Sequence, residues 1–394
     1  MIIFIDPEIL SEFFCLSSFV LNMRLLLFGL LAIGFVTGLV AWKAADDPVP
    51  TGPYILQYPA SFGGRFTIPA DNPTTQAGVY LGRLLFYEPR LSSTGTISCA
   101  SCHQQSRAFT DGLPRSVGVS GKSTQRNSMS LANLLWVRQL FWDGRSNSLE
   151  EQALVPMAHI DEMGMAVDGT ARKLQKTAPY PALFKRVFGS DTITDARIGK
   201  ALAQFERTLI SADSPYDRYL AGTYTLTPAE ERGLRLFTSA PNPERGIRGG
   251  NCAHCHGGPK LYQELFHNNG LDAQPTDVGR QAITGQLLDQ GRFRVPTLRN
   301  IALTAPYMHD GRFATLADVL DHYSDHVQTS PNLANELVPA RAGGLRLTKD
   351  EKADLVAFLI SLTDSSFVNN PQFANPHRSG LVSKSSPNST AIRP

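Results

Sequence analysis

"SCASCHQQSRAFTDG", residues 98–112, and "NCAHCHGGP", residues 251–259, decide how this chain folds. Each carries the pattern C-x-x-C-H: Cys99, Cys102 and His103 in the first, Cys252, Cys255 and His256 in the second. Three chemistries use paired cysteines. A shared zinc site would gather four thiolates into a tetrahedron, but it leaves no reason for a histidine to follow each pair. A thioredoxin-type redox pair likewise needs no histidine, and it belongs beside a βαβ pattern that the sequence lacks. Covalent haem c attachment uses all three residues, the thiols bonding the porphyrin vinyl groups and the histidine ligating iron. Two haem c groups are therefore expected. Four of the five cysteines are then used, and the fifth, Cys15, lies in an apolar N-terminal stretch.

The chain has 394 residues, 42% hydrophobic and 18% charged, enough for two or three globular domains. A net charge of +2 without a clustered basic face gives no support to nucleic-acid binding. From Leu25 to Trp42 no residue is charged, while Arg24 precedes the run and Lys43 follows it. This is a signal-peptide core or a marginal membrane span. The following "AWKAAD" offers no small-x-small cleavage site, which favours an uncleaved anchor, and Met23 is a candidate for the true start. Residues 1–45 are thus assigned to a signal peptide or N-terminal membrane anchor. The body is expected in the periplasm, soluble or held at the inner membrane, where bacterial haem c attachment takes place.

Residues 46–73 are rich in Pro and Gly and predict an extended arm, and residues 364–394, rich in Ser, Asn and Pro, predict a disordered tail. Between them one design is used twice. Tyr80, Leu81, Leu84 and Leu85 recur at helical spacing before the first motif. "LTPAEERGLRLF" does the same before the second, with Thr227 as N-cap, Pro228 at the first helical position and Glu230 completing a capping box. Each half closes on an amphipathic helix, one with Ile198, Leu202, Phe205 and Leu209 on a face, the other capped by Thr348 and Glu351 with Leu355, Leu359 and Leu362 on a face. The predicted fold is mainly all-α: two tandem cytochrome c-like domains, 74–222 and 226–363, each with one covalently bound haem c.

Two further stretches, "FWDGRSNSLEEQALVPMAHIDEMGM" and "RVPTLRNIALTAPYMHDGRFATLADVLDHY", resemble signature segments of the bacterial di-haem cytochrome c peroxidase family, which includes the MauG-type enzymes. The similarity runs from about residue 52 to 363. It implies that the N-terminal haem, with His103 as proximal ligand, is the peroxide site, and that the C-terminal haem passes electrons to it. Gln152 and Glu162 would lie on the distal side, where a carboxylate shuttles a proton between the peroxide oxygens and an amide orients them. Taken without the resemblance, Glu162 is no better placed than Asp161, Glu150 or Glu151, and Trp142 is an ordinary core tryptophan. With it, Trp142 is a relay between the haems. Asn127 and the carbonyls of Thr304 and Pro306 match the family's inter-domain Ca2+ site, a set of hard oxygen ligands.

Two departures from the family pattern matter. Many members close the resting peroxide site with a histidine from the loop after the first motif, but here that loop, "DGLPRSVGVSGKSTQRN", has none, and Val119 stands at about that place. The site is then expected to be open without prior reduction. At the sixth-ligand position of the second haem, where peroxidases often have methionine, this chain has Tyr323, as MauG-type enzymes do. Phenolate favours oxidised iron. His322 and Met308 are rival ligands. His159, His267 and His326 are assigned to packing or surface, and His254 to no ligand role.

The resemblance supports a peroxidase that reduces hydrogen peroxide with electrons from a small donor protein, a cytochrome c or cupredoxin. The alternatives are a MauG-like oxidase acting on Trp or Tyr side chains of a protein substrate, and a di-haem electron carrier without catalysis. The family is often homodimeric.

Overall fold

The computed structural model describes residues 49–166, 168–337 and 345–377. From Thr51 onward the chain clusters as one compact unit. It is built mostly of helices and turns, and among the described residues the one β ladder is the antiparallel pairing of Phe266–His267 with Phe293–Arg294.

Two helix pairs organise it. In the first half, Gln76–Phe86 crosses Asp195–Glu206, capped by Thr75 and Thr194, whose hydroxyls accept from the N–H groups of Gly78 and Arg197. Leu81 and Leu85 on one helix, and Ile198, Leu202 and Phe205 on the other, form the buried faces, while Tyr80 falls on the solvent side. In the second half, Pro228–Thr238 crosses Lys349–Ile360, and both start in complete capping boxes, Thr227 with Glu230 and Thr348 with Glu351.

The two crossings share one detail. A Cβ on Gly82 would sit 2.0 Å from the Ala201 carbonyl oxygen and 2.9 Å from Phe205 Cβ. On Gly233 it would sit 2.0 Å from the Asp354 carbonyl oxygen and 2.8 Å from Phe358 Cβ. Glycine lets each helix pair approach backbone to backbone, one turn before a buried phenylalanine on the partner helix.

The Pro/Gly-rich arm is extended but not free. Phe62 is buried among Leu135, Trp136, Tyr262 and Val295, so the arm packs against both halves of the chain. The Trp136 indole donates to the Gly63 carbonyl at 2.9 Å, Lys260 donates to the Phe62 carbonyl at 2.9 Å, and the Arg299 guanidinium lies 4.8 Å from the Phe62 ring centre.

The expected disordered tail does not begin at residue 364. The Asp364 carboxylate caps the Ser365–Val368 turn and accepts from Ser211 Oγ and the N–H groups of Ala212 and Asp213. Phe367 and Phe373 are buried, Phe367 with its ring centre 5.5 Å from that of Phe109. Tyr87 donates to the Phe373 carbonyl at 2.6 Å, and Arg83 donates to the carbonyls of Pro371 and Ala374. Two aromatic anchors suffice to fold a segment whose average composition is polar. Residues 378–394 lie outside the described residues, as do residues 1–45. No helix among the described residues is long and apolar enough to cross a membrane.

Candidate functional site

The second motif opens into a cavity of about 240 Å3, lined by Cys252, Cys255 and His256 and walled by Phe237, Leu320, Leu355 and Leu359 from the second helix pair and its neighbours. His256 Nδ1 donates to the Pro296 carbonyl at 3.1 Å, which leaves the Nε2 lone pair for a ligand. Burial pushes its pKa down to about 4, so the ring is neutral, the form that ligates metal.

Tyr323 and Met308 line the same cavity. The Leu316–Asp321 helix continues as a π-helical segment, His322–His326, and such register shifts are frequent at functional sites. Tyr323 enters the cavity, whereas His322 is not in its wall and instead bonds the Asn269 carbonyl through Nε2 at 3.0 Å. The Asn269 amide donates to Tyr323 Oη at 3.3 Å and to Met308 Sδ at 3.4 Å. Burial pushes the Tyr323 phenol up to about 12, with the Asn269 bond opposing, and a bound metal ion inverts that preference. A paired thiol and neutral imidazole, an apolar wall and a facing phenol are a donor set that fits a haem c.

The first motif occupies the helical turn Cys99–Cys102, capped reciprocally by Ser98 and Ser101. His103 Nδ1 donates to the Phe109 carbonyl at 2.8 Å, so here too the Nε2 lone pair is left for a ligand. Ser128 Oγ lies 3.3 Å from the same Nδ1 and donates to the Cys102 carbonyl at 2.8 Å.

Gln152 is carried by the Leu149–Ala158 helix and Glu162 by the turn that follows it. The loop after the first motif pins that turn. Val119 N–H donates to the Glu162 carbonyl at 2.8 Å, and a Cβ on Gly118 would meet the Asp161 carbonyl oxygen at 1.9 Å. Val119 is thus a buttress for the Glu162 backbone. Burial raises the Glu162 carboxyl pKa while His159, 3.7 Å away, and Arg145 oppose the rise. Burial, with the charges of Asp111 and Glu162 adding, pushes the Cys102 thiol up to about 11, so Glu162 lies within electrostatic reach of the first motif.

Trp142 lines the cavity of the second motif, and its indole donates to the Asn127 carbonyl at 2.9 Å. Asn127 also donates its own N–H to the His309 carbonyl at 2.7 Å and its side-chain amide to the Leu113 carbonyl at 2.8 Å. Asn127, Thr304 and Pro306 come together in the wall of this one cavity. Among the described residues no three His, Cys, Asp or Glu side chains converge on a metal position, so a cation here would rest on amide and carbonyl oxygens. Alongside, Arg126 bonds both oxygens of Asp277 at 2.7 and 2.8 Å and Asp143 at 2.6 Å.

Two histidines assigned from sequence to packing or surface have closer ties to the sites. His159 pairs with Glu162, and His267 lines the second cavity with its Nε2 buried and unpartnered. The His326 ring, by contrast, donates to the Asp321 carbonyl of its own turn, and His254 pairs with Glu336 at 3.1 Å. Sequence reasoning passed over Asn269 and Arg294; the second opens the segment "RVPTLRN", which was a signal for it.

Residues 76–225 match the family model described as di-haem cytochrome c peroxidase. The chain is 38% identical over 298 residues to the methylamine utilization protein MauG of Methylorubrum extorquens, covering 75% of this chain and 80% of that one. It is 35% identical over 301 residues to the cytochrome c551 peroxidase of Nitrosomonas europaea, covering 75% and 83%. Among solved structures, a MauG-like protein associated with microbial copper homeostasis superposes with a TM-score of 0.75 at 37% identity, covering 82% of this chain and 100% of that one.

Proposed function

The chain belongs to the family of di-haem cytochrome c peroxidases and MauG proteins, oxidoreductases with peroxide as acceptor, and from that premise we propose that it reduces hydrogen peroxide to water in the periplasm. Two haem c groups follow from the family. Cys99, Cys102 and His103 hold one and Cys252, Cys255 and His256 the other, within cytochrome c-like domains at 74–222 and 226–363. Bound there, the haems supply iron that takes peroxide at one site and accepts single electrons at the other.

The chain's own residues do the rest. Two electrons and two protons convert one peroxide to two waters. The Glu162 carboxylate takes the proton of the inner peroxide oxygen and returns it to the outer one, which leaves as water. The Gln152 amide orients the peroxide for that transfer. Trp142 would relay electrons from the second haem, whose iron His256 and Tyr323 would hold. Asn127, Thr304 and Pro306 would hold a Ca2+ through amide and carbonyl oxygens, and a chelator is expected to slow electron delivery, which stopped-flow absorbance would follow. The electrons come from a small periplasmic donor, a cytochrome c or cupredoxin.

The observation that carries this reading is the inequality of the two sites. Glu162, its main-chain carbonyl held by Val119, lies within electrostatic reach of the first motif, and a phenol lines the cavity of the second. Glu162→Gln is expected to lower peroxide turnover by about 10²–10⁴-fold while both haems stay bound. Unchanged turnover would return the protein to the non-catalytic carriers.

Tyr323 in the cavity wall favours a second reading, in which the electrons are drawn from Trp or Tyr side chains of a partner protein, as in a MauG-like oxidase. The two readings separate when the ferric protein receives one equivalent of peroxide without reductant. Immediate spectral conversion favours the oxidase, and inertness until half-reduction favours the donor-driven peroxidase.

A further inference from the structure

Among the described residues, the buried Arg207 and Arg299 and the half-buried Arg126 take carboxylates. Arg299 holds both oxygens of Asp217 at 2.6 and 2.7 Å, and Arg126 holds both oxygens of Asp277. Arg294 is the exception. It is only 6% exposed, yet among the described residues its guanidinium donates only to the Phe141 carbonyl at 3.3 Å and, at 3.4 Å, toward the Met129 sulfur. Glu264 acts on it through space, without an ion pair. A guanidinium has five N–H donors, and a buried cation that lacks a counter-ion is costly.

Tyr262 repeats the pattern. Its hydroxyl is buried with no hydrogen-bond partner among the described residues, and its phenol is influenced electrostatically by Arg294. Both side chains line the cavity of the second motif, whose wall is otherwise largely apolar. A charged donor and a neutral donor left unsatisfied in one cavity call for an anion with two acceptor oxygens.

We propose that Arg294 and Tyr262 anchor a propionate carboxylate of the haem held by Cys252, Cys255 and His256. The inference rests on the reading that this cavity holds a haem. It gives Arg294 a second part, because its main-chain N–H donates to the Trp142 carbonyl at 2.7 Å and its Nε to the Phe141 carbonyl. The propionate edge of the second haem is thereby tied to the backbone that carries Trp142. Arg294 acts through the haem and is a positioning residue.

The test uses the holoprotein and its Arg294→Gln, Arg294→Lys and Tyr262→Phe variants. Haem is counted per chain, and the midpoint potential of the second haem is followed with pH by spectroelectrochemistry. An ion-paired carboxylate stays ionised across the neutral range, whereas an unpaired buried one rises in pKa into it. Arg294→Gln is expected to lower the potential at the alkaline end and to add a pH dependence approaching one proton per electron. Arg294→Lys should restore most of the wild-type profile, and Tyr262→Phe should give a smaller shift in the direction of Arg294→Gln. Coincident wild-type and Arg294→Gln profiles, with two haems bound in each, would overturn the proposal. If Arg294→Gln does not accumulate, a crystal structure of the wild-type holoprotein decides instead, and a guanidinium more than about 4 Å from either propionate would overturn it equally. Fewer than two haems per wild-type chain would sink the functional reading itself.

Discussion

Tyr323 and Met308 share one donor, the Asn269 amide, so a phenol and a thioether stand ready on the same wall of the second cavity. Tyr323→Phe is expected to hand the iron to Met308, with the ferric spectrum changing to a histidine–methionine type and the potential rising. An unaltered spectrum would show that Tyr323 is not a ligand. The sequence favoured Tyr323 over His322 only through the family resemblance, because helical periodicity says nothing about a register that a π segment shifts. Glu206 was equally illegible. It is buried with Oε2 unpartnered, while the guanidinium of the adjacent Arg207 is given to Glu150. Burial lifts its pKa to about 8 from 4.5. The native state then keeps a proton that the unfolded chain releases, so stability is lost as pH rises from about 4.5 to 8, by a few kcal/mol in all. Urea unfolding of the holoprotein should show this loss, and Glu206→Gln should flatten it.

At the level of elements, the two helices that bracket the second motif were readable because their apolar spacing and caps agree, and Thr227 with Glu230 and Thr348 with Glu351 form the expected boxes. What spacing could not reveal is how closely they cross. A glycine inside a helix registers in sequence only as a lowered helix propensity, whereas Gly82 and Gly233 are the points where backbone meets backbone. Gly82→Ala and Gly233→Ala must each push a helix off a carbonyl that cannot retreat. Each should cost about 3 kcal/mol in denaturant unfolding. A neutral result at either site would mean that its crossing is looser than the geometry requires.

Over the whole molecule, the ends of the described chain are exchanged between the halves. The arm at Phe62 is buried against Tyr262 and Val295 of the second half, while Phe367 and Phe373 follow the second half and pack on the first. Composition concealed both, since a few aromatic anchors among many small and polar residues leave the average unchanged. Truncation after Thr363 should remove several kcal/mol of stability through the two lost phenylalanines.

This crossed clasp bears on how fast charge can jump. Tunnelling rates fall steeply with the gap, and two lobes free to rock would make inter-haem transfer depend on their hinge. Here each lobe is held by the other's terminal segment, and Arg126 spans the seam to Asp277. The gap becomes a constant of the molecule. Control over the current must then lie at the irons themselves, in which side chain each one holds and which proton accompanies it.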